Sequence, residues 1–448
     1  MEDDYGNKYT YLQAYIHQVG GHSSMLCLDD ATVCKPLVER ELRFYENLPS
    51  PLRNFTPKFY GVIKVNVIKQ GEYFTLVGCT PSWYTPKQTG KIRKLRLRRS
   101  GSMDADISME GLFEEDSSNN SLNSNNRPNN ALHVNPWVVK CHHDHLINLA
   151  ATIEEKNTPQ NFLLLENLTN KFRLPCILDL KMGTRQYDDC DTLAKRQSKM
   201  VKVVTTTSGK LGVRIGGMQV YQVTTGRFLC RNKFFGRTLT TNGFSNALRH
   251  FLHDGQRLRT ELLPPLIRKL EILADKLGTL ESLRLYTTSL LLLYEGQPLG
   301  QPPPIDRLRE KRESLSRNVT TSSDCDLWDC CESGMERSTS AESLTDILET
   351  VVGTNEVRRT SRDLCRRRSS SCTAPERLSS PTNIASDSRS NSPSSPLDPL
   401  TDVRIIDFAH STHAGMSDSV SYTGPDHGFL FGLGNMISIL KAIDRDLR

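Results

Sequence analysis

Two stretches of this chain lack the side chains a packed core needs, and they decide how much of its 448 residues can fold. The first runs from Lys91 to Pro136. It opens on the basic run Lys91-Ile92-Arg93-Lys94-Leu95-Arg96-Leu97-Arg98-Arg99 and becomes rich in serine and asparagine through Asn130. The second, residues 301–400, holds 20 serines and one aromatic residue, Trp328. Such segments bury too little apolar surface to offset the entropy of ordering them, so both are expected to be disordered insertions. Roughly 300 residues remain, enough for one two-lobed domain rather than the three that length alone suggests. Inside the second segment, Arg358-Arg359-Thr360-Ser361 and Arg366-Arg367-Arg368-Ser369-Ser370 read either as sites for basophilic protein kinases or as incidental serines in a solvated linker. The Lys91–Arg99 run reads as a nuclear-import or anionic-surface patch, or as a solubilising loop.

The rest alternates between two periodicities. Met25–Leu28 and Thr32–Lys35 read as short strands around an Asp29-Asp30 turn, and Leu37–Leu48 has helical apolar spacing. Phe59–Val67, Tyr73–Val77, Phe162–Leu165 and Cys176–Leu180 are strand-like. Val213–Ile215, Met218–Val223 and Arg227–Cys230 suggest a meander with a Thr225-Gly226 turn. Phe244–His253 and Leu262–Leu277 are helical, Leu283–Tyr294 and Val403–Phe408 are apolar strands, and a last helix follows Gly434. Small strands first, then strands mixed with long helices, fit an α+β, two-lobed enzyme. The expected boundaries are 1–90 for the N-terminal lobe and 137–300 for the hinge and most of the C-terminal lobe. Residues 401–448 would complete that lobe.

No stretch reaches the roughly 20 apolar residues that span a bilayer, so no membrane insertion is expected. The acidic start Met1-Glu2-Asp3-Asp4 does not resemble a signal peptide. The 12 cysteines are scattered without a CxxC pair, as in a reduced cytosolic or nuclear protein. The net charge of +6 implies no DNA partner by itself. Its distribution is more telling: Pro175–Thr240 carries 12 basic and four acidic residues, a surplus of +8 that exceeds the whole chain's. Lys195, Arg196, Lys199 and Lys202 recur at steps of three and four, so a helix would put them on one face. Either an anion occupies that face or it is simply solvated.

Asp179 and Lys181 stand two apart in Pro175-Cys176-Ile177-Leu178-Asp179-Leu180-Lys181-Met182-Gly183, so a strand aims both to one side. They form a structural ion pair, or they hold a nucleotide and pull on a phosphate. Asp407 ends the apolar run Arg404-Ile405-Ile406-Asp407-Phe408, where an acid either caps the strand or holds Mg²⁺. Cys141-His142-His143-Asp144-His145 offers metal-ligand types, but consecutive residues point apart.

Pro175-x-x-x-Asp179-x-Lys181-x-Gly183, Thr288-Ser289-Leu290-Leu291 and Ile406-Asp407-Phe408 resemble the three signature elements of the inositol polyphosphate kinase family. Further stretches resemble its inositol hexakisphosphate kinase branch: His17–Met25, Val33-Cys34-Lys35-Pro36, Asn135-Pro136-Trp137, Leu178–Tyr187, Gly217–Tyr221 and Cys230–Lys233. The resemblance implies a fold distantly similar to the protein kinases, with ATP between two lobes. It also implies roles. Lys35 would neutralise ATP phosphates beside a Gly20-Gly21 turn, and Glu166, Asn167 and Leu168 would form the adenine hinge. Asp179 would contact ATP, Lys181 would bridge the γ-phosphate and the acceptor, and Asp407 would hold Mg²⁺. Thr288, where the family has serine, and Ser289 would support the metal region. Lys195, Arg196, Lys199 and Lys202 would line the inositol phosphate site.

The implied activity is transfer of the ATP γ-phosphate onto a phosphate of inositol hexakisphosphate, at position 5, giving diphosphoinositol pentakisphosphate. Inositol pentakisphosphate would be a second substrate, and the enzyme would work as a monomer in cytosol, nucleus or both. Two rivals are an inositol polyphosphate multikinase acting on hydroxyls, and a non-catalytic binder of polyanions or RNA that uses the basic stripe alone. A protein kinase is disfavoured, since no His-Arg-Asp loop occurs and Ala409 replaces the glycine of Asp-Phe-Gly.

Overall fold

Alternating and β-branched apolar residues build two antiparallel sheets, and the site lies where they face each other. The computed structural model describes residues 8–21, 24–70, 73–80, 84, 94–98, 103–106, 136–156, 158–297, 400–416 and 420–446. All belong to one unit made of Met1–Asp306 and Ser394–Arg448. Nearly all of the 301–400 segment, with its arginine-serine motifs, lies outside the described residues.

The N-terminal sheet holds β1 (Lys8–Tyr11), β2 (Gln13–Ala14), β3 (Leu26–Asp29), β4 (Thr32–Pro36), β5 (Phe59–Gln70), β6 (Tyr73–Thr80), β7 (Lys94–Arg98), β8 (Met103–Asp106) and β9 (Gln160–Glu166). Their order is β2-β3-β4-β9-β5-β6-β7-β8, with β1 on β6. Two expected boundaries move. Lys91–Pro136 is not wholly outside the fold, because β7 and β8 pair as a hairpin that extends the sheet from β6. The segment 137–166 belongs to this lobe rather than to the C-terminal one. Within it β9 pairs with β4 and β5, and helix α2 (Pro136–Lys156), the next after α1 (Glu39–Glu46), packs Leu146 and Leu149 against Leu26, Ile63 and Phe162. Sequence order separates these residues from β5 by the insertion, which is why the lobe seemed to end sooner.

The C-terminal sheet has the order β12-β11-β10-β14-β15, from β10 (Pro175–Met182), β11 (Val213–Gln222), β12 (Arg227–Arg231), β14 (Ser289–Glu295) and β15 (Thr401–Ile406). The expected Leu283–Tyr294 strand is two pieces. β13 (Arg284–Leu285) pairs with β16 (Ser411–Thr412), and the chain then turns at Thr287, whose φ is 60°, before β14. Helices α3 (Leu193–Val204), α4 (Thr207–Leu211), α5 (Lys233–Thr238), α6 (Thr241–Phe251), α7 (Leu263–Gly278) and α8 (His427–Arg445) complete the lobe. The last helix starts before Gly434, at an Asp426 N-cap that accepts from the Phe429 N–H at 3.0 Å. Its glycines obscured that start, yet one is required: a Cβ on Gly432 would sit 2.3 Å from the Gly212 carbonyl oxygen. No helix among the described residues is long and apolar enough to cross a membrane.

Helix α1 (Glu39–Glu46) ties the lobes together. Its Phe44 stacks on Phe408 with ring centroids 4.3 Å apart, and Tyr45 meets the same ring edge-on. Both join the main core cluster of the C-terminal lobe, so α1 cannot shift without disturbing the segment that carries Asp407.

Burial also settles the histidines of Cys141–His145. Cys141 is buried, His142 Nδ1 lies 2.9 Å from the Ser24 hydroxyl, and His143 turns to Asp144. Among the described residues, these side chains do not converge on a common ligand point. Burial first, then His145, pushes His142 down to about 3. A histidine depressed in the folded state contributes stability fully present above its unfolded value near 6.5 and lost as pH falls toward 3. His142→Gln, which keeps a partner for Ser24, should therefore flatten the loss of stability between pH 6.5 and 4, on the order of a few kcal/mol in wild type. Denaturation midpoints measured across that range check it. Parallel curves for variant and wild type would assign the acid sensitivity elsewhere.

Candidate active site

Between the sheets lies a cleft of about 440 Å³. Strand register places its floor. In β10, Asp179 lies opposite Leu291 and Lys181 opposite Ser289 of β14, and Ser289 in turn lies opposite Ile406 of β15. The alternation that keeps Leu178 and Leu180 in the core puts Asp179 and Lys181 on the cleft side. Asp407 follows β15 with φ 68°, a left-handed conformation that aspartate tolerates better than most side chains. That turn brings its carboxylate between two ammonium groups. Lys181 Nζ donates to Oδ2 at 2.8 Å, and Lys35 Nζ, from β4 in the opposite sheet, donates to Oδ1 at 2.6 Å. Lys181 also donates to Ser289 Oγ at 2.6 Å.

A further residue completes this array, and the sequence reading overlooked it. Glu41 of α1 is fully buried; its Oε1 accepts from Lys35 Nζ at 2.8 Å and from the Phe408 N–H at 3.0 Å. The available signal was an acid on the same helical face as Phe44 and Tyr45, where only a paired charge is tolerated.

The two aspartates of the cleft are driven apart. Burial opposes ionisation of Asp407, but Lys181 and Lys35 override it and hold the group far below the usual carboxylate range. Burial dominates at Asp179 and raises it, helped by the charge of Asp407 and opposed by Lys181. Asp179 Oδ1 is buried without a hydrogen-bond partner. Burial would lower Lys35, yet Asp407 and Glu41 raise it, so it stays an ammonium.

The predicted hinge does line the cleft. Two of its amides are already committed: the Glu166 N–H to the Lys58 carbonyl at 2.9 Å and the Asn167 N–H to that of Ala31 at 2.8 Å. Leu168 is buried beside them with Val19, Ile177 and Leu293, giving this end of the cleft an apolar wall. Gly20 and Gly21 lie against the floor. A Cβ on Gly20 would fall 2.2 Å from Asp179 Oδ2, so only glycine allows the approach.

The opposite end is cationic, and here the predicted set divides. Lys199 and Lys202 line the cleft; Lys195 is exposed and outside its lining. Arg196 bonds the backbone carbonyls of Asp189 and Asp191. Thus the helical face that the spacing implied is only half directed at the cleft. Arg214, Lys233 and Arg237 join Lys199 and Lys202 from β11 and α5. Burial, then Arg237, lowers Arg214 to about 10; burial, then Arg237, Arg214, Lys199 and Lys233, lowers Lys202. Cations that destabilise one another in this way are suited to a multiply charged anion. Beside them Lys199 pairs with Asp191 at 2.5 Å, and His410, another cleft residue, bonds Asp188.

The family model described as "Inositol polyphosphate kinase" matches residues 162–441. Inositol hexakisphosphate kinase 1 of Mus musculus is 35% identical over 474 residues, covering 98% of this chain and 94% of the relative. Inositol hexakisphosphate kinase 3 of Homo sapiens is 32% identical over 464 residues, with 96% and 95% covered. Among solved structures, the inositol phosphate multikinase Ipk2 of S. cerevisiae, in complex with ADP and Mn²⁺, aligns with a TM-score of 0.44 at 17% identity, covering 92% of this chain and 99% of that one.

Proposed function

The chain belongs to the inositol polyphosphate kinase family, and from that premise we propose that it is an inositol hexakisphosphate kinase. It transfers the γ-phosphate of ATP onto a phosphate of inositol hexakisphosphate, at position 5, and also accepts inositol pentakisphosphate. The observation that carries this reading is the Lys35–Asp407–Lys181 array, at the floor of a cleft whose far end is a cluster of five cations.

Adenine enters beside Glu166, Asn167 and Leu168, against the apolar wall. With the amides of Glu166 and Asn167 engaged, recognition falls to the remaining backbone groups of the hinge. Lys35 neutralises phosphates from the roof and Lys181 from the floor, where it also reaches the acceptor. Asp179 contacts the nucleotide from beneath Gly20. The residues fit a divalent cation such as Mg²⁺: Lys181 and Lys35 favour the ionised form of Asp407, Ser289 lies beside it, and Asp179 offers an unpartnered oxygen. A cation held by Asp407 would neutralise the β- and γ-phosphates during transfer.

The substrate explains the choice of residues. Inositol hexakisphosphate carries roughly eight or more negative charges near neutral pH, since second phosphate pKa values lie near 6. Its attacking oxygen is already deprotonated, so no general base is needed. The barrier lies in bringing one polyanion onto another, and lysines and arginines lower it by electrostatic stabilisation. Lys199, Lys202, Arg214, Lys233 and Arg237 hold the inositol phosphate, while Lys195 and Arg196 act outside the contact surface.

Purified protein incubated with Mg-ATP and inositol hexakisphosphate should yield a species more phosphorylated than the substrate when products are resolved by charge. Turnover of less phosphorylated inositols with inositol hexakisphosphate untouched would instead make it a multikinase. Salt-dependent RNA binding without turnover would make it a binder.

A further inference from the structure

The loop joining β2 to β3 is closed by a side chain as well as by its backbone. The ladder ends with the Tyr15 N–H on the Met25 carbonyl at 3.0 Å. Inside the loop, Gln18 uses both ends of its amide. Nε2 donates to the Gly20 carbonyl at 2.9 Å, and Oε1 accepts from the Met25 N–H at 3.0 Å. Gln18 is buried, at 7% exposure, and lies in the cleft lining with Gly20 and Gly21. The two partners fix which end of the amide is which, because a carbonyl requires the NH₂ and an N–H requires the oxygen. A second anchor holds the exit of the loop, where the Ser24 hydroxyl meets His142 of α2.

We propose that Gln18 is the positioning residue of the nucleotide site, holding the Gly20 peptide down on Asp179. The inference rests on the kinase reading above, since it assigns the Gly20-Gly21 turn to ATP. Its physical basis is local. Without Cβ atoms, Gly20 and Gly21 have the widest backbone freedom in the chain, and Gly21 already sits at φ 88°. Gly20 runs so close to a buried carboxylate that a Cβ on it would fall 2.2 Å from Asp179 Oδ2, and such a glycine, followed by a second one, needs an external restraint to keep one conformation. One planar group that donates at one end and accepts at the other supplies it. Asparagine is one methylene short, and leucine has the volume without the polarity. Glutamate keeps the acceptor for Met25 but sets a second oxygen against the Gly20 carbonyl.

The test compares Gln18→Leu and Gln18→Glu with wild type in the full-length protein, reading KM for ATP, KM for inositol hexakisphosphate, kcat and melting temperature. KM for ATP should rise about tenfold in Gln18→Leu, which loses both hydrogen bonds, and in Gln18→Glu, which exchanges one of them for a repulsion between oxygens, with KM for inositol hexakisphosphate nearly unchanged. Amide hydrogen exchange of a peptide spanning Tyr15–Leu28 should quicken in both variants relative to the rest of the N-terminal sheet. That readout does not depend on turnover, so it separates this idea from the kinase assignment. A protein without kinase activity but with faster exchange would overturn the nucleotide role and keep the restraint. Unchanged KM for ATP and unchanged exchange would overturn the proposal. So would equal rises in both KM values with a lowered melting temperature, which describe a structural residue only.

Discussion

Asp407→Asn should lower kcat by about 10³-fold or more, the scale expected when the central electrostatic element of phosphoryl transfer is removed. The substitution is clean for a conformational reason. Asp407 has φ 68°, a region asparagine tolerates as well as aspartate, so the backbone stays unstrained. Alanine there would add strain to the loss of charge and confuse the two. Nor should the neighbouring lysines collapse the site. Lys35 retains Glu41 at 2.8 Å, and Lys181 retains Ser289 at 2.6 Å with Asp179 in the same strand. The variant should therefore bind inositol hexakisphosphate with near wild-type affinity, measured by calorimetry, while its transfer from ATP falls by that factor. Turnover within about tenfold of wild type would remove Asp407 from the centre of the reaction.

The parts of this site that were legible in the sequence are those set by short-range periodicity. Asp179 and Lys181 share a side because a strand alternates, and the structure keeps Cys176, Leu178, Leu180 and Met182 in the main core while Ile177, Asp179 and Lys181 line the cleft. Asp407 could be noticed because it ends an apolar run. Glu41 shows in the sequence only as an acid on the helical face of Phe44 and Tyr45; its role does not, since that rests on Lys35 across the β4–α1 connection and the amide of Phe408, 367 positions away. The cationic end shows the same limit. Helical spacing grouped Lys195 and Arg196 with Lys199 and Lys202, but spacing does not say which arc of a helix faces inward. The neighbours that answer this, Arg214, Lys233 and Arg237, come from a strand and another helix. Lobe boundaries failed similarly. β9 sits between β4 and β5 in space, although the inserted segment separates it from β5 in sequence.

That division of the basic residues leads to the second large effect. Replacing Lys202 and Arg237 together with alanine should raise KM for inositol hexakisphosphate by about 100-fold or more, given roughly 1.5–3 kcal/mol for each hydrogen-bonded charge lost. Lys195→Ala should change it less than about twofold, since exposed charges outside the contact surface contribute little. The double variant should fall short of the product of the two single effects. Each cation depresses the other in the free protein: Arg237 is the largest charge acting on Lys202 after burial itself. Removing one therefore relieves repulsion that the substrate would otherwise have relieved. The same coupling predicts a stability change of opposite sign. Without substrate, the double variant should melt at the wild-type temperature or slightly above it, because like charges crowded together are a cost the anion was meant to offset. Cations that were there to hold the fold would behave in the other way, with a lower melting temperature and an unchanged KM, and that outcome would move the inositol phosphate away from this end of the cleft.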